Sequence, residues 1–225
     1  MAFCLYFTEI NKKYRQKTST EDENMVNKMK IILASASPRR KDILSDLGVE
    51  FSVLAADTDE SCNIPYPEEY AMELARRKGQ AAYAEIKRRM KDGEDDSDAV
   101  IISADTVVFA GDEILGKPKD ASDAYRMLEL ISGSEHTVIT GIGITACGVT
   151  TVSYAATLVR VSKIPHEEIL KYIATGDPFD KAGAYGIQGQ FSKWVEGING
   201  CYFNVVGLPT NALNKLFYEV TGEFL

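Results

Sequence analysis

Apolar positions in this chain fall into two rhythms, short continuous runs and stretches spaced by three or four, which together lay out a succession of strands and helices. Ile31 to Leu33 reads as a buried strand. A helix follows from Pro38 to Leu47 and is closed by Gly48. Phe51 to Leu54 offers a second strand and Asp57 to Pro65 a polar loop. Pro67 then opens a long helix in which Ala71, Leu74, Ala75, Lys78, Ala82, Ile86 and Met90 recur at helical spacing. The acidic cluster Asp92, Glu94, Asp95, Asp96 and Asp98 ends it as a solvated loop.

Ala99 to Phe109 is a nearly continuous β-prone run, turned back through Gly111-Asp112 into Glu113 to Leu115. Ala121 to Ile131 reads as a helix ended by Gly133. Two long strands follow, Thr137 to Ala146 and Val149 to Val161, with Gly148 at their turn. Pro165 starts another helix, closed by Gly176. The last third predicts short glycine-flanked strands around Tyr185 to Gln188, Val195 to Ile198 and Tyr202 to Val206, then a helix from about Pro209 to Val220. Early alternation of strand and helix with hairpin-like strands in the middle gives an α/β fold, a long mixed β-sheet flanked by helices on both sides.

With 225 residues, 45% of them hydrophobic, the chain can fill one large core or two joined lobes. Lys and Arg total 25 against 33 Asp and Glu, and the resulting net charge of −8 disfavours broad attachment to nucleic acid or an anionic membrane. Any anionic ligand must be captured locally. The cysteines, Cys4, Cys62, Cys147 and Cys201, are widely spaced, and only His136 and His166 supply imidazoles, so neither a zinc site nor a disulfide framework is indicated. This usage fits a reducing, cytoplasmic setting. No apolar run approaches the roughly 18 residues that span a bilayer. Residues 1–29 read as a flexible N-terminal extension. Its basic residues leave a mitochondrial presequence open, although Glu21, Asp22 and Glu23 argue against one.

Within Leu33-Ala34-Ser35-Ala36-Ser37-Pro38-Arg39-Arg40, a strand end, a turn of small residues and a helix start meet two guanidinium groups. Ser37 is placed to cap the helix and Pro38 to occupy its first position. Free N–H groups and the forked donors of Arg39 and Arg40 would suit a polyphosphate. An ordinary Ser-Pro turn with exposed arginines is the alternative. Asp105 interrupts an apolar strand, where a carboxylate is costly unless paired. It reads as a general base or metal ligand, or as a strand-end cap. Lys117, fixed between Gly116 and Pro118, and Lys78, beside Arg76 and Arg77, are positioned charges or surface lysines. Glu60 with Asp57 and Asp59 is a metal cluster or a hydrated loop. In Asp180-Lys181-Ala182-Gly183-Ala184-Tyr185-Gly186-Ile187-Gln188-Gly189, the glycines allow close approach of a flat ligand, with Gln188 offering a donor and an acceptor; a structural hairpin is the other reading. His136 reads as structural, and His166 as part of a helix's first turn.

Taken in order, these segments, with Asp59-Glu60, Leu74-Ala75-Arg76-Arg77-Lys78, Ser103-Ala104-Asp105-Thr106-Val107-Val108, Gly116-Lys117-Pro118, Ser132-Gly133, His136-Thr137-Val138 and Gly200-Cys201-Tyr202-Phe203-Asn204-Val205-Val206-Gly207-Leu208-Pro209, resemble the Maf family of nucleoside triphosphate pyrophosphatases. The resemblance covers residues 30–225 apart from the extreme C-terminus, and makes that region one nucleotide pyrophosphatase domain. It implies an ITPase-like fold of two lobes with a central cleft, and hydrolysis of a nucleoside triphosphate to monophosphate and pyrophosphate with a divalent cation, Mg²⁺ or Mn²⁺. Asp105 matches the family's proton acceptor. Ser35, Arg39, Arg40, Glu60, Lys78 and Lys117 match residues lining its phosphate and metal site, with Glu60 and Asp105 toward the metal. Thr106 and Gln188 fall where base selectivity is tuned. The form of the glycine-rich segment resembles the branch acting on dTTP and UTP. Action on 7-methyl-GTP or ITP, or a septum-associated regulatory role, is the alternative, and a homodimer is implied.

Overall fold

The computed structural model describes residues 29–90 and 99–225. The acidic cluster at 92–98 and nearly all of the N-terminal extension lie outside the described residues. Seven strands form one mixed sheet: β1 (Lys30–Leu33), β2 (Phe51–Val53), β3 (Ala99–Ala110), β4 (Glu113–Leu115), β5 (Glu135–Ala146), β6 (Val149–Val161) and β7 (Val195–Asn199). The helices are α1 (Pro38–Asp46), α2 (Pro67–Arg89), α3 (Ala121–Ile131), α4 (His166–Ala174), α5 (Tyr202–Val206) and α6 (Thr210–Thr221).

The sheet runs β2-β1-β3-β5-β6-β7, with β1 parallel to both neighbours and the long strands β3, β5 and β6 antiparallel. β4 folds back onto β3, on the edge that β5 leaves free. That edge is therefore shared. β1 pairs with residues 99–102 of β3 and β4 with residues 108–110, and between them residues 103–107 pair only with β5.

Alternation along β3 and β5 sorts their side chains to two faces. On one face Ile101, Val107 and Ile139 pack beneath α2. This helix lies directly on the strands because three glycines remove side chains from the contact. A Cβ at Gly141 would stand 2.2 Å from the Ala71 carbonyl oxygen, one at Gly143 2.6 Å from Ser103 Oγ, and one at Gly79 2.5 Å from Thr145 Oγ1. Ser103 then donates to the Ala75 carbonyl at 2.7 Å, fixing the helix over the strand.

The other face carries two cores. One joins Leu33, Ile102, Ile142 and Ile144 to Leu44 of α1 and Leu213, Leu216 and Phe217 of α6. The second joins Val108, Leu115 and Val138 to Leu128 and Ile131 of α3, Ile169 of α4, Tyr185 and Phe191. Val195 and Val205 touch both. These are the two expected lobes.

Two strand expectations are corrected. Tyr202–Val206 is helical, with Asn204 buried beneath it. Its aromatic and β-branched residues favour a strand by propensity, but the buried Asn204 amide fixes the segment across the sheet end by bonds to Val138 and Thr157. Tyr185–Gln188 is irregular chain between the 3₁₀ turns Ala182–Ala184 and Gly189–Trp194. Gly183 has φ +66°, and a Cβ there would meet Val108 Cγ2 at 2.8 Å, so this turn is held against β3.

Candidate active site

A cleft of about 880 Å³ opens at residues 103–107 of β3, where the edge away from β5 is free, between the two lobes. Ser35, Arg39, Arg40, Glu60, Lys78, Asp105, Thr106, Lys117 and Gln188 all line it, so the structure brings together the nine residues that the family resemblance assigns to the site.

Asp105 and Lys78 meet because α2 lies so close to β3. The Lys78 ammonium donates to Asp105 Oδ1 and reaches Glu60 Oε1 at 2.8 Å, so one cation holds two carboxylates side by side. Burial opposes ionisation of Glu60, but the Lys78 hydrogen bond and charge, aided by Lys117 and Arg40, outweigh it and hold this carboxyl below its ordinary range. Asp57 also lines the cleft, whereas Asp59 accepts the Ser61 N–H at 2.8 Å and serves its own turn. Among the described residues no group of three His, Cys, Asp or Glu side chains is placed to hold a metal ion. Asp57, Asp59 and Glu60 therefore do not form a metal cluster.

The turn after β1 supplies the arginines. Ser37 makes no side-chain cap; Ser35 Oγ instead accepts the Ser37 N–H at 3.2 Å, and Pro38 occupies the first helical turn. Arg40 is held at three points, with Nε donating to the Gly207 carbonyl at 2.8 Å, Nη1 to Ser35 Oγ at 3.2 Å and Nη2 to Thr106 Oγ1 at 3.0 Å. Burial pulls its guanidinium below the usual value, against the attraction of Asp105 and Glu60. Arg39 reaches across the opening to Asp180 at 3.0 Å, and Lys181 clamps Asp180 and Asp177 at 2.7 and 2.9 Å. Asp180 and Lys181 belong to the glycine-rich segment. The pairing with Arg39 joins residues 141 positions apart, and no local pattern announces it. Lys117 is exposed and makes no hydrogen bond or ion pair among the described residues; Gln188 is exposed at the rim.

Arg39, Arg40, Lys78, Lys117 and Lys181 line this cleft together with Asp57, Glu60, Asp105, Asp177 and Asp180, and of these cations Arg40 and Lys117 make no ion pair among the described residues, so they are the charges open to an anion. The Maf-like protein family profile matches residues 30–220. This chain belongs to that family. Among Maf relatives, the dTTP/UTP pyrophosphatase of Caldicellulosiruptor saccharolyticus is 44% identical over 195 residues, covering 85% of this chain and 94% of that protein. Those of Clostridium botulinum and Thermococcus kodakarensis are 43% and 44% identical, covering 84% and 83% of this chain and 96% and 94% of theirs. Among solved structures, the Ham1 protein of Staphylococcus aureus aligns with a TM-score of 0.40 and 14% identity, covering 74% of this chain and 79% of that one. Family membership rests on the sequence matches.

Proposed function

We propose that this chain hydrolyses dTTP and UTP to the nucleoside monophosphate and pyrophosphate. The names of its relatives support this substrate class. The observation that carries the chemistry is the Lys78 ammonium holding Asp105 and Glu60 together at the cleft where Arg39, Arg40 and Lys117 converge.

Lys78 engages Asp105 Oδ1, and the second oxygen of that carboxylate is the one that takes a proton from water. The water oxygen bonds to the α-phosphorus, the bond to the oxygen bridging toward the β-phosphorus breaks, and the electron pair departs with pyrophosphate. Arg39, Arg40 and Lys117 hold the triphosphate in line and take up the charge that develops on the leaving group. Gln188, with a donor and an acceptor at the rim, and Thr106 are the candidates for setting base preference.

The donor set fits a divalent cation. Two carboxylates at one point match the needs of Mg²⁺ or Mn²⁺, which take one or two carboxylates and fill their remaining positions with phosphate oxygens and waters. Glu60 and Asp105 would hold it, and it would supply Lewis-acid neutralisation of the phosphates.

No helix among the described residues is long and apolar enough to cross a membrane. A cytoplasmic homodimer acting on a free nucleotide, without nucleic acid or membrane, completes the reading. Pyrophosphate release from dTTP, UTP, 7-methyl-GTP and ITP tests it, with dTTP and UTP the expected substrates. Asp105→Asn should keep nucleotide affinity and lose about 100-fold or more in kcat, the usual worth of a general base. Preference for 7-methyl-GTP or ITP overturns the substrate assignment, and an unchanged kcat overturns the base.

A further inference from the structure

Behind Arg40 runs a buried chain of polar groups whose hydrogen-bond direction is fixed by counting protons. Thr140 Oγ1 donates to the main-chain carbonyl of Asn204 at 2.9 Å and is fully buried. A hydroxyl has one proton. In the 3.0 Å contact between Thr106 and Thr140, Thr140 must therefore accept and Thr106 must donate. Thr106, its proton spent, presents only lone pairs to Arg40 Nη2. The chain is thus polarised in one sense, from Arg40 through Thr106 and Thr140 to Asn204, and each bond strengthens the next.

Its inner end is anchored. The Asn204 side-chain amide, fully buried, donates to the Val138 carbonyl and to Thr157 Oγ1, both at 2.9 Å, which ties α5 to β5 and β6. Gly207, at the end of the same helix, takes Arg40 Nε directly. Segment 204–207 therefore holds the guanidinium from two directions. Of the five guanidinium N–H groups, three are engaged by Gly207, Ser35 and Thr106, and two are left for an anion. A guanidinium so restrained binds a phosphate without first losing side-chain freedom.

We propose that Thr140 and Asn204 are positioning residues for phosphate capture: they set Arg40 through the Thr106 hydroxyl and touch no substrate themselves. The inference rests on the reading that this cleft takes a triphosphate. It also gives Thr106 a role through Arg40, separate from contact with the base.

Binding of inorganic pyrophosphate, measured by calorimetry alongside dTTP kinetics, tests it. Thr140→Val keeps the shape and removes the hydroxyl, and should weaken pyrophosphate binding roughly tenfold, as loss of a buried hydrogen bond does. The KM for dTTP should rise more than kcat falls. Thr140→Ser should restore both. In an Arg40→Ala background, adding Thr140→Val should change pyrophosphate affinity less than about twofold, because the group it acts through is gone. Thr106→Val should reproduce the effect from the cleft side, and decides the matter if the Thr140 variant does not fold. Wild-type affinity in both valine variants, a Ser variant as weak as the Val variant, an undiminished loss in the Arg40→Ala background, or no pyrophosphate binding by the wild type would each overturn the proposal. A wild-type protein that binds pyrophosphate but leaves dTTP intact would instead sink the catalytic reading, with the positioning role still decided by the affinities.

Discussion

Lys78 earns its place by keeping two like charges together. Burial is the strongest influence on Glu60 and favours its neutral form, and only the surrounding cations reverse this. With a folded value below the ordinary 4.5, the Glu60 contribution to stability is fully present above pH 4.5 and lost as pH falls through that lower value. In Lys78→Met, Lys117 and Arg40 alone oppose burial, so Glu60 should titrate at higher pH than in the wild type. Carboxyl carbon chemical shifts followed from acidic to neutral pH would read this; an unmoved titration would show that Lys78 is not what keeps Glu60 charged. Asp105 was legible in the sequence because a carboxylate within an apolar strand demands a partner. Thr140 and Asn204 were not, since a Thr in a β-prone run looks like any strand residue and its partner lies 64 positions away.

At the level of elements, close packing of α2 on the sheet is what delivers Lys78 to Asp105. A Cβ at Gly141 would meet main-chain atoms of the helix at 2.2 and 2.6 Å, and backbone cannot swing aside as a flexible side chain can. Gly141→Ala should therefore push α2 away, costing roughly 1–3 kcal/mol as overpacking does, and should reduce kcat for dTTP as the Lys78–Asp105 contact opens. Gly197→Ala, with nothing within 4 Å of the added carbon, should alter neither. Denaturation midpoints and turnover for the pair decide it, and equal effects would refute the packing argument. The long elements were readable from the chain because periodicity and breakers agree: α3 occupies Ala121–Ile131 as its pattern predicts. α5 was misread because five residues are too few for a helical rhythm to show, and tertiary bonds from Asn204 outweigh the β-propensity of Tyr, Phe and Val.

For the whole molecule, acid sensitivity should come partly from a single imidazole. His136 is buried on β5 with Nε2 at 2.6 Å from the Tyr185 hydroxyl, and burial pushes its pKa down to about 4. A histidine depressed on folding is protonated more readily when unfolded, so stability falls as pH drops below 6.5 and levels off near 4, by up to about 3 kcal/mol. Denaturant unfolding between pH 6.5 and 5.5, about one unit above the ordinary glutamate value of 4.5, keeps the carboxylates largely out of the measurement. His136→Gln should flatten the slope there, and an identical slope in both proteins would assign the sensitivity elsewhere. Net charge bears on the whole molecule as well: at −8, attraction for a polyanion has to be local, and in the cleft it falls to Arg40 and Lys117, the lining cations that make no ion pair among the described residues.

The shared edge of β3 carries a mechanical meaning. Because β1 and β4 hang from one side of one continuous strand, the distance between the halves they lead into follows the coiling of that strand. A molecule seated in the gap would lie against the one strand from which both halves hang.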